Sequence, residues 1–288
     1  MISNVVYVTS LTLAIECRFL LADASKRMLY CASSMEIYNF EEVCMNTGAE
    51  SRFGLSAFAL KIIAIVTMTC NHIAHGFENQ LPLFLLVPLY IVGGLTFPIM
   101  AYLMIEGYQK TSNVKKYMLR LLIFGLIAIF PFILVFKALV LNVLFTFLFG
   151  LICLYLRDKI KKKALFWLCF AGFVLITLFC DWAFVGVAMI VLFGIIKDKK
   201  RRIIITTVVC AVALSLMEFI FGDGWGLKLM LDFGFSFFVL CSMPFLWAYN
   251  GKKGYSPRSL RYLFYIFYPA HLLVIGGIMW LTQVYLVP

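Results

Sequence analysis

Two of the three histidines of this chain, His72 and His75, stand near the end of a long apolar segment, in the stretch TMTCNHIAHGF. Imidazole titrates near neutral pH, so it is suited to take a proton from an amine or hydroxyl that attacks an acyl group. Two other interpretations stay open: a histidine that only hydrogen-bonds at a helix end, and a metal site that also uses Glu78. The neighbouring sequence offers too few further ligands for a metal, so we expect none.

The third histidine, His271, lies in RYLFYIFYPAHLLVIGG, two residues after Pro269 and close to Tyr265 and Tyr268. Proline in an apolar helix removes a backbone donor and frees carbonyl groups, which an imidazole or a tyrosine can satisfy. His271 is therefore either a packing residue at a kink or, with Tyr268, a group that polarises a carbonyl or positions an acceptor.

Other polar residues inside apolar segments are costly in lipid, so each is a candidate for function or for specific pairing. Asn142 and Thr146 are spaced i, i+4, a common arrangement for interhelical hydrogen bonds, and this structural role is the favoured one. Asn142 also stays a catalytic candidate. Further polar residues gather toward the side of the membrane where His72 lies: Asp181, Glu218, Asp223, Lys228 and Asp232. The last two, at i, i+4, are also able to neutralise each other.

Helical phase connects His72 with a cation at the other end of its segment. At 3.6 residues per turn, one helix face carries Lys61, Ile65, Met68, His72 and His75. In a later segment Lys116 and Arg120 lie one turn apart at a membrane edge. Ordinary cytoplasmic positive charge explains this pair as well as the docking of a phosphate-rich ligand from the cytoplasm does.

Composition identifies lipid as the solvent of these segments. Of the 288 residues, 64% are hydrophobic and 14% charged, and the mean hydropathy is +0.98, which is more apolar side chain than a soluble domain can bury. The formal charge of +11 falls in short blocks without interleaved aromatics, which indicates membrane topology and not a nucleic-acid partner. The nine cysteines form no Cys-x-x-Cys pair, which argues against a zinc site or a disulfide framework.

The apolar segments predict an all-α polytopic membrane protein, a bundle of about nine to ten transmembrane helices. They lie near 56–76, 84–106, 118–136, 138–156, 164–180, 182–197, 203–221, 226–249 and 261–286. Every second connection is basic, and the positive-inside rule places these connections in the cytoplasm of a multi-pass protein of the cytoplasmic (inner) membrane. Residues 1–54 are predicted to be an N-terminal extension, with a signal peptide or an extra helix as alternatives.

Four stretches together resemble the TraX family, named for the inner-membrane protein that acetylates F-type conjugative pilin. They are LKIIAIVTMTCNHIAH (60–75), FPIMAYLMIEGYQKTSNVKKYMLRLLIFGLIAIFPF (97–132), LNVLFTFLFGLICLYL (141–156) and LFYIFYPAHLLV (263–274). The resemblance covers most of residues 55–288 and implies a transmembrane acyltransferase domain there. The family pattern has Asp before the first histidine, whereas this chain has Asn71, which can hydrogen-bond an imidazole but cannot stabilise its charge.

The TraX family is in turn similar to the acyltransferase-3 group of membrane acyltransferases. That group has an Arg followed eleven residues later by a histidine regarded as catalytic, and Lys61 and His72 have this spacing. Its cytoplasmic Arg-x-x-Arg-like pair, thought to receive coenzyme A phosphates, is matched loosely by Lys116 and Arg120. The resemblance implies that these two residues and Lys61 bind acetyl-CoA, and that His72 is a general base or a transient acetyl carrier, with His75 in reserve.

The expected function is transfer of an acetyl group from cytoplasmic acetyl-CoA, the donor substrate, to an amine or hydroxyl of an extracytoplasmic acceptor, either a pilin-like protein or an envelope glycan. Membrane lipid is the other expected partner, nucleic acid and metal are not expected, and a homodimer is left open. The alternative is a transporter or flippase in which intramembrane His, Asp and Tyr line a path, although the internal repeats common in transporters are not evident. A structural membrane subunit, the third hypothesis, predicts that the histidines tolerate replacement.

Overall fold

The computed structural model describes residues 54–221, 227–255 and 257–282, and in these ranges the chain forms α-helices joined by short connections. This confirms the all-α membrane fold that the sequence predicts. The helices are α1 (Ala57–Gly76), α2 (Leu83–Gly93), α3 (Thr96–Lys110), α4 (Val114–Ile127), α5 (Ile129–Phe136), α6 (Val143–Lys159), α7 (Lys163–Thr177), α8 (Ala183–Ile195), α9 (Lys199–Phe221), α10 (Leu227–Leu240), α11 (Met243–Trp247) and α12 (Arg258–Leu281).

Helix length separates the nine predicted segments into two groups. Four helical stretches are long and apolar enough to cross a membrane, namely Ala57–Gly76, Leu83–Lys110, Lys199–Ile220 and Phe264–Leu281. The pair α4 and α5 makes a fifth if it is counted as one span. Three shorter apolar helices are Lys163–Thr177, Ala183–Ile195 and Phe233–Trp247. The segment near 138–156 contains α6, whose 17 residues also fall short of this length. Four or five of the described stretches thus reach spanning length.

Some sequence predictions fall outside the described residues. They concern the N-terminal extension, of which only Gly54 is described, and the polar groups of Asp223, Lys228 and Asp232.

Three segments that the sequence predicts as continuous are broken. The one near 84–106 divides into α2 and α3 at Gly94, where an added Cβ would lie 2.5 Å from the Phe235 carbonyl oxygen. Glycine at this position lets α10 pack closely against the junction. The segment near 118–136 bends by 47° between α4 and α5, with Pro131 in the first turn of α5, where proline costs little. The segment near 226–249 divides into α10 and α11.

Helix α1 packs against α2, α3, α5 and α12, so the helix that carries two histidines has neighbours from both ends of the chain. Ser56 caps it by accepting a hydrogen bond from the Ala59 N–H at 3.2 Å. The Ala57 N–H donates to the Lys252 carbonyl at 2.9 Å, and the Phe58 N–H donates to the next carbonyl in the chain. First-turn N–H groups have no partner inside a helix, so these bonds satisfy them. They also hold the connection before α12 beside the start of α1.

Helix α6 begins at a buried asparagine. The Asn142 side-chain oxygen accepts from the Leu144 N–H at 3.1 Å, and its amide nitrogen donates to the Gly125 carbonyl of α4 at 2.8 Å. One turn later the Thr146 hydroxyl donates to the Asp181 carbonyl, between α7 and α8. The interhelical hydrogen bonds predicted for Asn142 and Thr146 are therefore present, and they position the start of α6.

Helix α7 lies at the periphery, where it packs on α6 and α8. Its apolar side chains Trp167 and Leu168 are 52% and 70% exposed. The residues of α3 and α8, by contrast, supply many of the most buried side chains, among them Ile99, Ile105 and Phe193. In a membrane protein the exposed apolar face of α7 contacts lipid, and α3 and α8 form the interior.

Candidate functional site

A cavity of about 710 Å³ opens along one face of α1. All five residues of the predicted stripe line it: Lys61, Ile65, Met68, His72 and His75. Residues of α2, α3, α4, α5, α6, α9, α10 and α12, and of the connections between helices, complete the wall. At 1.5 Å per residue, Lys61 and His72 lie about 16 Å apart along the axis of α1, so one cavity connects a cationic region with the histidines.

His72 and His271, which we call the histidine pair, are hydrogen-bonded to each other between α1 and α12. His72 Nδ1 lies 2.7 Å from His271 Nε2, and the two ring planes differ by 9°. On its other side, His271 Nδ1 lies 2.8 Å from the Phe267 carbonyl oxygen. The two histidines are 5% and 7% exposed, so bulk water does not compete for these hydrogen bonds.

The Phe267 carbonyl determines which ring nitrogens carry hydrogen. A carbonyl only accepts, so His271 Nδ1 must donate, and in a neutral ring His271 Nε2 is then the acceptor. His72 Nδ1 must donate to it, which leaves the lone pair of His72 Nε2 available. His72 lines the cavity, whereas His271 is not among the lining residues and stands behind it. The histidine pair therefore presents one basic nitrogen at the cavity wall.

Aromatic rings enclose the histidine pair. Phe136 and Tyr268 meet the His72 ring edge to face, at centroid distances of 5.2 and 6.2 Å. Tyr268 lines the cavity, is 3% exposed, and its hydroxyl makes no hydrogen bond within the described chain. His75 lies one turn further along α1, tilted against Tyr90 at 4.7 Å. The two histidines of α1 thus face the same cavity with different neighbours, and His72 is the one hydrogen-bonded to His271.

The far end of the cavity, which we call the basic end, carries four cationic side chains: Lys61, Lys110, Arg120 and Lys253. Lys61 Nζ lies 4.9 Å from the ring centroid of Phe264. The Arg120 guanidinium lies 5.6 Å from the Tyr117 ring and 5.9 Å from the Tyr265 ring, and its Nε is buried without a hydrogen-bond partner in the described ranges. An unpartnered buried guanidinium nitrogen is costly, so this end is suited to a ligand with several anionic oxygens.

The predicted phosphate-binding residues are brought together only in part. Lys61 and Arg120 line the cavity, but Lys116 is exposed and does not, while its backbone N–H donates to the Asn113 side chain that caps α4. Lys110 lines the cavity in its place, with its Nζ 3.0 Å from the Glu106 carboxylate and 3.3 Å from a loop carbonyl. Lys116 lies on the exposed side of the first turn of α4, whereas the next residue, Tyr117, lies on the side that lines the cavity.

Among the described residues, the side-chain oxygens of two asparagines that the sequence singles out make no hydrogen bond to His72. Asn142 is fully buried, uses both polar side-chain atoms as the cap of α6, and is absent from the cavity wall. Asn71 lines the cavity close to Gly93, where an added Cβ would lie 2.4 Å from its Oδ1. The partner that orients His72 is therefore His271 and not the residue that precedes His72.

The third region of the cavity, which we call the acidic end, contains Asp181 and Glu218 beside Trp182 and Tyr90. Burial raises the pKa of the Asp181 carboxyl to about 6, and a hydrogen bond from the Trp182 backbone opposes this rise. No three His, Cys, Asp or Glu side chains of the described residues form a group that could hold a metal ion.

Sequence reasoning missed the pairing of the two histidines and the cationic residues Lys110 and Lys253. The pairing joins residues that are 199 positions apart, and no local pattern reports it. A signal for Lys253 exists in the sequence NGKKG, because Gly251 and Gly254 take positive φ values of 75° and 69° in the loop that folds back onto α1. Lysines flanked by glycines in this way predict a tight loop. They do not predict that the loop packs against α1.

These features define the protein as an α-helical membrane protein whose helices enclose a cavity with a buried histidine pair and a cationic end. The family model described as "TraX protein" matches residues 56–279. The chain is also 31% identical over 237 residues to a protein of Dichelobacter nodosus described as "Probable fimbrial assembly protein FimC, serogroup H1", an alignment that covers 75% of this chain and 93% of that protein. The chain belongs to the TraX family, which confirms the resemblance found in the sequence. No solved structure matches it.

Proposed function

We propose that this chain is an integral membrane acyltransferase that moves an acetyl group from acetyl-CoA to an amine or hydroxyl of an acceptor outside the cytoplasm. The observation that carries the proposal is the hydrogen-bond chain from the Phe267 carbonyl through His271 to His72. This chain leaves a basic nitrogen at the wall of a cavity whose other end is cationic. Membership of the TraX family and the fimbrial assembly name of the relative favour a pilin-like protein as acceptor, with an envelope glycan as the alternative.

The shape and charge of the cavity support acetyl-CoA as the donor substrate. The phosphates of coenzyme A would bind at the basic end, where Arg120 offers its unpartnered Nε and Lys61, Lys110 and Lys253 add charge. The middle of the cavity is lined by Met68, Met100 and Met104, whose flexible apolar side chains suit the extended arm of the donor. The distance of about 16 Å from Lys61 to His72 then brings the thioester to the histidine pair. We expect the basic end to face the cytoplasm, where acetyl-CoA is made.

His72 and His271 have separate roles in this reaction. His72 Nε2 takes the proton of the acceptor amine or hydroxyl while its nitrogen or oxygen bonds to the thioester carbon. The carbon–sulfur bond then breaks, and the departing coenzyme A thiolate takes the proton from His72. His271 acts as a positioning residue, because its Nε2 accepts from His72 Nδ1 and so stabilises both the orientation and the positive charge of the protonated His72 ring.

Doubly labelled acetyl-CoA tests the class of reaction. The purified protein in detergent is given acetyl-CoA with one isotope in the acetyl group and another in the adenine, together with extracted envelope material. Acyl transfer predicts that the acetyl label becomes covalently attached to an acceptor while the adenine label stays in free coenzyme A, and that His72→Ala abolishes the attachment. Attachment by His72→Ala at the wild-type rate would contradict the role of His72.

The same measurement distinguishes the acyltransferase proposal from the transporter hypothesis. A transporter or flippase predicts no covalent attachment of either label, even when acetyl-CoA binding is detected. Failure of the wild-type protein both to bind and to consume acetyl-CoA would overturn the acyltransferase proposal.

A further inference from the structure

We propose that the Tyr268 hydroxyl, held at the amino-terminal end of α6, donates the hydrogen bond that stabilises the negative oxygen formed during acyl transfer. This inference rests on the proposed function and assigns the electrophilic part of the same site. It makes Tyr268 a catalytic residue, with Val143 and Asn142 as the positioning residues that support it.

The first observation is a buried donor without a partner. Tyr268 is 3% exposed, and its hydroxyl makes no hydrogen bond within the described chain. A buried hydroxyl that is left unpaired loses the free energy of its bond with water, and proteins rarely tolerate this without a purpose. Tyr268 also lines the cavity and meets the His72 ring at a centroid distance of 6.2 Å. The unpaired hydroxyl is therefore placed on the wall where the thioester would lie.

The second observation is the free amide at the start of α6. Asn142 caps this helix. Its side-chain oxygen accepts a hydrogen bond from the Leu144 N–H, and its backbone carbonyl accepts one from the Phe145 N–H at 2.9 Å. The Val143 N–H takes part in neither bond, and it lies near the Tyr268 hydroxyl oxygen without reaching the geometry of a hydrogen bond to it. Helix amino termini carry a partial positive charge, which favours a nearby anion. This end of α6 therefore adds positive potential at the position of the Tyr268 hydroxyl.

The two observations together give the direction of the hydroxyl hydrogen. The Val143 N–H approaches a lone pair of the tyrosine oxygen, so the O–H bond must turn to another side. The partial positive charge at the start of α6 polarises the hydroxyl and makes it a better donor. Tyr268 then offers its hydrogen to an oxygen atom in the cavity, on the wall that it shares with His72 Nε2.

The acceptor nitrogen or oxygen bonds to the thioester carbon, its proton moves to His72 Nε2, and the carbonyl electron pair moves onto the oxygen, which becomes negative. The Tyr268 O–H donates to this oxygen, which is where the charge develops. The carbonyl then forms again, the carbon–sulfur bond breaks, and coenzyme A leaves as a thiol after it takes the proton from His72.

Asn142 lies outside the cavity, and its role in this proposal is to position the start of α6. Its amide nitrogen donates to the Gly125 carbonyl of α4, which fixes the cap and hence the Val143 N–H relative to Tyr268. This role differs from a direct contact with substrate, which the fully buried Asn142 cannot make.

The test is steady-state kinetics of Tyr268→Phe with acetyl-CoA and the acceptor. Loss of one oxyanion donor lowers kcat by about 10² to 10³-fold, and we expect a fall in this range with an unchanged KM for acetyl-CoA. The pH dependence of kcat/KM keeps its shape, because His72 still titrates. Tyr102→Phe is the matched control, since Tyr102 is 2% exposed and lies outside the cavity wall, and it keeps wild-type kinetics.

A second variant tests the helix end. Asn142→Ala removes the cap of α6 and lowers kcat by about tenfold, and Asn142→Ser, which restores a capping oxygen, recovers part of that loss. A wild-type kcat for Tyr268→Phe would overturn the oxyanion assignment and leave the acyltransferase proposal intact. A loss of acetyl-CoA binding in Tyr268→Phe would assign the hydroxyl to donor binding and also overturn it. If the wild-type protein neither binds nor consumes acetyl-CoA, both proposals are overturned.

Discussion

The histidine pair and the basic end belong to one cavity but differ in how their polar groups are hydrogen-bonded. At the pair, His72 Nδ1 and both nitrogens of His271 have partners, so rings from two helices are fixed in one orientation. At the basic end, the buried Nε of Arg120 has no partner within the described chain, and Lys61 and Arg120 rest on aromatic rings. Fixed, paired imidazoles suit proton transfer, whereas a guanidinium with an unpartnered nitrogen, such as that of Arg120, suits capture of an anion. The comparison predicts that changes at the pair lower kcat, and that changes at the basic end raise KM.

The largest expected effect is at His72. We expect His72→Ala to lower kcat by about 10³-fold, because a general base contributes about 10² to 10⁴-fold. His75→Ala is the matched control, one turn away on the same helix face, and should keep most of the activity because His271 orients His72 and not His75. Initial rates of acetyl transfer measure both. Equal losses in the two variants would show that the pairing does not select the base.

The next effect is at His271. Removal of the group that orients His72 should lower kcat by about 10²-fold in His271→Ala, with little change in KM for acetyl-CoA. His271→Gln should restore part of the rate, because the glutamine side-chain oxygen can accept from His72 Nδ1. The split between kcat and KM distinguishes this role from donor binding. A rise in KM with kcat unchanged would show that His271 does not position His72 for catalysis.

Substitutions at the basic end should have smaller effects, and these should be on KM for acetyl-CoA and not on kcat. Arg120→Ala is expected to raise KM for acetyl-CoA by about 10- to 100-fold, the range for loss of a charged hydrogen bond, without lowering kcat. Lys116→Ala is the matched control, since Lys116 is exposed and does not line the cavity, and it should change neither constant. Acetyl-CoA binding measured by calorimetry checks the result independently. If Lys116→Ala weakened binding as strongly, the donor would have to bind outside the cavity.

The smallest expected effect is at the acidic end and concerns stability. The pKa of Asp181 is raised from 3.8 to about 6, so the folded protein holds this proton more tightly than the unfolded chain does. The stability that this proton gives is present below pH 4 and is lost as the pH rises to about 6. Asp181→Asn should therefore raise Tm at pH 8 and leave it unchanged at pH 4. The gain at pH 8 is at most about 3 kcal/mol, and less where water in the cavity hydrates the carboxylate. A larger gain at pH 4 than at pH 8 would contradict the raised pKa.

Sequence reasoning reached the all-α fold and the face of α1 because both depend on local pattern. Apolar length predicts a membrane helix, and a period of 3.6 residues places Lys61, Met68 and His72 on one face, where the cavity lies. It missed the breaks at Gly94 and between α4 and α5, because these depend on how closely neighbouring helices pack and not on composition.

The sequence identifies several residues of the site, but it does not predict how they are arranged in space. His72, His271 and Tyr268 were each selected because polar groups are expensive in lipid, and the structure brings them together. The sequence could not show that His271 takes the orienting role expected of the residue before His72. Contacts between α1 and α12 join the two ends of the described chain, and they depend on tertiary packing. The same holds for Lys110, which replaces Lys116 at the cavity.

The central claim is that His271 holds His72 with its Nε2 free to act as a base. The protein has three histidines, so NMR of ¹⁵N-histidine-labelled protein, with each signal assigned by substitution, reports their protonation directly. We expect that at neutral pH both His72 and His271 carry hydrogen on Nδ1 and not on Nε2, and that His271→Gln leaves the His72 signal in the same form. A His72 signal with hydrogen on Nε2 and an unprotonated Nδ1 would contradict it.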